Sequence, residues 1–180
     1  SDVDAALYWL ARLVEGGEDP RLLMRRLLIL ASEDIGLADP QALVQTAAAS
    51  QALNWVGLPE AVYHLAQATI YLALAPKSNS TLAYFRAQAA LAAQGATQVP
   101  TPFKDAHRDR KGLGHGEGYL YPHDFPGHWV EQDYLPEEVS GKRFYEPGPE
   151  GREPELSARW RARREGGGQP EDPGSGEGGD

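Results

Sequence analysis

Acid–proline pairs return at a near-constant interval and cut the first half of the chain into pieces of equal length. Asp19-Pro20 and Asp39-Pro40 each place a capping carboxylate before a proline at a first helical position. Pro59-Glu60 can open another helix, and Ser78 or Asn79 can cap a further one. Gly16-Gly17, Gly36, Gly57 and Gly95 stand where those helices would stop. Starts therefore fall near residues 2, 20, 40, 59 and 79. An interval of about 20 residues leaves room for about four turns and a short connection, so successive helices fold back antiparallel. The spacing recurs but the residues do not, which makes this an array and not a repeat protein.

The apolar positions give these helices faces. Val3, Leu7, Leu10 and Val14 form a 3-4 spaced stripe with Asp4 and Arg12 off it. The second helix is apolar nearly all round: Leu22, Leu23, Met24, Leu27, Leu28, Ile29 and Leu30 leave only Arg25 and Arg26 for solvent. Such a helix is central to its own bundle or also meets another subunit, which makes Leu22, Leu23, Leu27, Leu28 and Leu30 candidates for a subunit interface. On the fourth helix Val62, Leu65, Ala66, Ile70 and Ala73 read as the inward face, with Leu72 widening it.

Composition separates three segments. Residues 1–98 are rich in Ala and Leu and predict a helical domain. Residues 99–147 hold Gly112, Gly114, Gly116 and Gly118 and a run of aromatics, with prolines at 122, 126, 136 and 147 that forbid long helices. They predict an extended Gly/Pro/aromatic arm laid over the helices, with a short helix near 104–111. Residues 148–180 hold nine glycines in 33 positions and predict a disordered tail. The expected fold class is thus all-α: about five antiparallel helices, an arm and a tail. Charge does not distinguish the segments, because each carries the same net −3 of the total −9.

That acidity argues against a wide nucleic-acid-binding face. The absence of cysteine removes disulfides, thiolate metal sites and a cysteine nucleophile. The uncharged stretch from Pro40 to Pro59 has the length of a membrane span, but its Gln, Asn, Ser and Thr fit burial in a bundle and no membrane is expected. Asp2 and Asp4 stand where a secretory leader would be positive, so the chain reads as cytoplasmic and as cut or processed from something larger.

Chemical motifs are few. The only lysine that follows a glycine, Lys142, precedes Arg143 where a phosphate-binding loop needs Ser or Thr. Glu117 stands where a dinucleotide fingerprint built on Gly112 and Gly114 wants glycine. No catalytic residue, bound cofactor or metal is therefore expected in this chain. His107, His115, His123 and His128 lie near Asp105, Asp109 and Asp124, but their spacing matches no common zinc pattern and they read as hydrogen-bonded loop residues. Lys104, Arg108 and Lys111, with Arg110, are candidates for weak phosphate contacts, half neutralised by Asp105 and Asp109. The stretch SARWRARR at 157–164 reads first as solvated tail and second as an anionic-surface contact.

Four blocks carry a resemblance: SDVDAALYWLARLVEGGEDP at 1–20, SEDIGLADPQAL at 32–43, LAQATIYLALAPKSNS at 65–80 and GYLYPHDFPGHWVEQDYLPEEVSGKRFYEP at 118–147. In this order and spacing the chain resembles the C-terminal region of the replication-associated recombination protein A family, also called MgsA. These are AAA+ ATPases related to clamp loaders and to the Werner helicase-interacting protein. The resemblance implies an N-terminal module that binds ATP and magnesium, a C-terminal region that assembles the protein into tetramers, and a DNA-stimulated ATPase acting in replication and repair at stalled forks. DNA and replication proteins would be partners of the full-length protein. The stretch DAHRDRKGLGHGEGY at 105–119 departs from the family's basic, helix-forming pattern, with Glu117 where a lysine is usual. The alternative reading is a stand-alone helical adaptor that binds a replication partner through its aromatic arm.

Overall fold

Asp19-Pro20 caps its helix as the sequence predicts, whereas at Asp39-Pro40 the helix starts one residue later, with Pro40 at its N-cap. In the computed structural model, which describes residues 1–95, 97–104 and 116–165, Asp2 accepts from the Ala5 amide at 2.9 Å and opens α1 (Val3–Glu15). Asp19 accepts from the Arg21 amide at 2.9 Å and opens α2 (Pro20–Leu30) with Pro20 in its first turn. Asp39 accepts from the Gln41 amide at 3.0 Å and orients α3 (Gln41–Val56). Then follow α4 (Val62–Leu74) and α5 (Ala83–Gln94). All five starts lie close to the expected positions, and the fold among the described residues is all-helical.

A sixth helix, α6 (Glu153–Glu165), stands where the sequence predicts disordered tail. Glycine content averaged over 33 residues conceals it. Within that segment, Glu153-Pro154-Glu155 is an acidic, proline-bearing first turn that complements the helix dipole. Residues 166–180 lie outside the described residues, as do Ala96 and 105–115, which include the short helix expected near 104–111.

The chain divides into two compact units. Ser1–Phe85 with Phe144–Trp160 make the first, and Arg86–Arg143 with the residues from Arg161 on make the second. In the first unit α4 packs on α1, α2 and α3, and α2 also packs on α3. One core cluster joins Leu23, Met24, Leu53, Ala61 and Leu65, with Leu10 and Val14 of α1 against it. The other joins Ala31, Ile35, Ala42, Leu72 and Ala75. Leu27 packs against both, so α2 is the strut between them. After Leu30 the chain runs through a π turn (Ala31–Ile35) and a 3-10 turn (Gly36–Ala38), burying Ile35 and Ala38 completely. The buried face of α4 is Leu65, Ala68, Thr69 and Leu72, rotated from the expected one: Val62 is exposed and Ile70 half-buried.

The second unit is built from short turns that its prolines start: Thr101–Phe103, Pro122–Asp124 and Pro126–His128. Phe103 stacks on Tyr134 with ring centres 5.0 Å apart and meets Tyr119 edge-on at 5.8 Å. The Gln132 side-chain amide accepts from the Leu120 N–H at 3.0 Å and donates to the Leu120 carbonyl at 2.8 Å. It satisfies both backbone groups of an extended segment that has no strand partner.

Candidate functional site

Three loops of the first unit converge on one buried carboxylate. Glu153, the first residue of α6, is fully buried. Its Oε2 accepts from the Ser78 hydroxyl in the α4–α5 connection, and its Oε1 accepts from the Tyr145 hydroxyl at 2.9 Å. The Gly148 backbone N–H also donates to it. Burial is the largest influence and pushes the carboxyl up, but the Ser78, Ser80 and Tyr145 hydroxyls and the Gly148 N–H together outweigh it, and the net shift is downward. The Ser80 hydroxyl adds to the downward shift by proximity but falls outside hydrogen-bond geometry, leaving it a buried group without a partner.

The surrounding backbone closes around this point. Ser78 donates its amide to the Asp34 carbonyl at 2.8 Å, and its Oγ accepts from the Ser80 amide at 3.3 Å. Arg152 donates its amide to the Ala38 carbonyl at 2.7 Å. A Cβ on Gly151, which has φ +59°, would stand 2.1 Å from that carbonyl oxygen, and one on Gly148 would stand 2.9 Å from Glu153 Oε2. Only glycine fits at Gly151, whereas at Gly148 the Glu153 and Ser78 side chains would have to give way. Nearby, the Tyr71 hydroxyl donates to Asp39 Oδ2 at 2.7 Å, which raises the phenol's pKa first by that bond, then by burial and the carboxylate's charge. Lys77 turns its ammonium onto the last carbonyls of α4, including that of Leu72 at 3.0 Å. The ionised carboxylate is out of solvent, so this cluster ties loops together and offers no acid or base to a substrate. The quoted blocks at 32–43 and 65–80 meet here, joined by Glu153, which sequence reasoning missed.

The α2 leucines are put to several uses. Leu23 is buried in the core, Leu27 and Leu30 pack half-buried against it, Leu28 is half-buried, and Leu22 is exposed. Large apolar residues are exposed on other helices, among them Trp55 on α3, Tyr63 and Leu74 on α4 and Tyr84 on α5. Lys104 donates to Gln98 Oε1 at 3.3 Å and lines a shallow groove of about 730 Å³ that it shares with Asp133, Glu137 and Glu138. These three carboxylates oppose an anion beside it. Arg108 and Lys111 lie outside the described residues.

His123 and His128 face each other with ring centres 4.9 Å apart, and His107 and His115 are outside the described residues. Among the described residues no group of three or more His, Asp or Glu is placed to hold a metal ion, and no helix is long and apolar enough to cross a membrane. Members of the SARWRARR stretch are engaged, each within its own unit: the buried Ser157 hydroxyl donates to the Glu153 carbonyl at 2.8 Å. Trp160 meets Tyr145 edge-on at 5.3 Å, and the Arg163 guanidinium lies 5.1 Å from the Trp129 ring and donates to the Gly127 carbonyl.

Comparison with known proteins matches residues 1–164 to the family model described as MgsA AAA+ ATPase C terminal. A replication-associated recombination protein A of Bacillus subtilis is 48% identical over 149 residues, covering 82% of this chain and 35% of the relative. The protein of that name in Escherichia coli K12 is 39% identical over 156 residues, covering 85% and 35%. An uncharacterised AAA domain-containing protein of Mycobacterium tuberculosis is 48% identical over 161 residues, covering 88% and 36%. The chain thus spans about a third of the length of these curated relatives.

Proposed function

Because the chain belongs to the MgsA AAA+ ATPase C-terminal family, we propose that it is the assembly module of a clamp-loader-like ATPase acting in DNA replication and recombination. The module self-associates as a tetramer, and DNA and replication proteins are partners of the whole ATPase. The observation that carries this reading is the pairing of the family match with helices that expose large apolar side chains, Trp55, Leu74 and Tyr84 among them. Such surface marks interaction sites when it is contiguous. The chain contains no Walker motif, so ATP and magnesium belong to the module that relatives of nearly three times the length supply. That difference in length favours a module of a larger protein over a free-standing adaptor.

Sedimentation equilibrium of the 180-residue chain tests the reading. A species of four chains at tens of micromolar is the expected result. A single monomeric species over that range overturns it.

A further inference from the structure

The 35 residues between Pro40 and Pro76 contain one charged side chain, Glu60, in a chain that is 24% charged. They form α3 and α4, yet neither helix is wrapped by the rest of the fold. Trp55 is 90% exposed, Tyr63 75%, Leu74 70% and Val44 57%. One stripe on each helix follows the same rule. On α3 Val44, Ala48, Gln51 and Trp55 are exposed; on α4 Tyr63, Gln67 and Leu74 are exposed, with half-buried Ile70 in register between them. Both sets step by four, three and four residues, the spacing with which one helix seats side chains between those of another. Ala48 and Gln67 also border the groove between the two helices, about 200 Å³ in size and walled by Gln45, Ala52, His64 and Tyr71, so the stripes flank a common seam.

We propose that this face docks on the same face of a second copy of the chain, about a two-fold axis through the α3–α4 seam. The inference rests on the reading of the chain as a self-associating module and assigns one of the two isologous contacts that an assembly of four chains needs. Three features of the face select a second copy as its occupant. The chain carries a net −9, so surface of average charge repels its own kind, and this face does not. Depletion of charge is also what distinguishes the core of an interface from ordinary surface. Finally, size is graded along the seam. The bond between Asp39 and Tyr71 fixes the start of α3 beside the end of α4, so Trp55 and Tyr63 share one end and Val44 and Leu74 the other. A two-fold axis across the seam lays the aromatic end of each copy on the aliphatic end of the other, large side chains against smaller ones. The result is a four-helix contact with an isologous interface.

The test uses the full 180-residue chain. Sedimentation equilibrium compares it with the double substitution Val44→Glu/Leu74→Glu and with Leu22→Asp on α2. The expected result is a dissociation constant raised at least about tenfold for the double variant, helicity by circular dichroism retained, and little change for Leu22→Asp. Association unchanged in the double variant, or lost only with Leu22→Asp, overturns this face while leaving self-association standing. A monomeric parent chain overturns both readings. Because the sequence has no cysteine, Ala48→Cys alone provides a second measurement that does not depend on the glutamates being tolerated. A short bis-maleimide is expected to join Ala48→Cys chains into covalent dimers and to leave Arg26→Cys chains, labelled at an exposed position on α2, unjoined. Equal yields from the two, or none from Ala48→Cys, overturn the proposal.

Discussion

The Ser78 hydroxyl donates to the Glu153 carboxylate across 75 residues of sequence. Both groups are buried, so the bond forms where water cannot replace it. It joins the α4–α5 connection to the first turn of α6, and Tyr145 binds the other carboxylate oxygen. Removing one donor leaves a buried charge short of a partner. Tyr145→Phe should therefore cost about 1.5–3 kcal/mol, the range for a hydrogen bond to a charged group. Urea unfolding followed by circular dichroism measures it, and a loss below 0.5 kcal/mol (about the effect of an ordinary surface substitution) would mean that the bond is not formed.

The same carboxylate predicts an acid dependence. Its pKa is held below the ordinary 4.5 in the folded chain, so folding favours the ionised form. The stability this contributes is fully present above the ordinary value and is lost as pH falls through the lower folded value. Glu153→Gln should therefore have a flatter decline in urea midpoint below pH 4.5 than the parent chain. Parallel declines would assign the acid sensitivity to other carboxylates.

Gly151 and Gly17 both have positive φ, but only Gly151 has a neighbour in the way of a side chain. Backbone strain of roughly 1–3 kcal/mol applies to an alanine at either site. At Gly151 the clash with the Ala38 carbonyl adds to it. Gly151→Ala should be the more destabilising by urea midpoint, and equal losses would show that the α6 segment is not seated on Ala38.

Met24 and Leu22 are two residues apart on α2, one 1% exposed and the other 42%. Met24→Ala opens a cavity between the helices and should cost about 2–5 kcal/mol. Leu22→Ala should stay within about 0.5 kcal/mol. Thermal unfolding at low concentration, where association does not contribute, separates them.

Helix starts were legible because an aspartate before a proline has one strong local meaning, and Asp19 and Asp39 both act on it. The inward face of α4 was not, because Val62–Leu74 carries no charge to mark its outer side and alanine fits either side equally. The α2 stripe was legible as apolar but not as a division of labour: Leu23, Leu27 and Leu22 differ only in what α3 and α4 bring against them. Nor could local pattern reveal Glu153, whose partners lie in another part of the sequence. The helix it begins did have a signal in Glu153-Pro154-Glu155, lost when composition was averaged over the glycine-rich end.

The first unit is written in two instalments, with Arg86–Arg143 between them. During synthesis α1 to α4 emerge before their closing piece. At about 5–20 residues per second, the 75 residues from Ser78 to Glu153 take roughly 4–15 s. For that interval the Ala38 carbonyl and the Ser78 hydroxyl have water as their partner, and the helices must hold one another without the clasp. A nascent chain of this kind spends seconds with its core assembled and its last fastening still inside the ribosome.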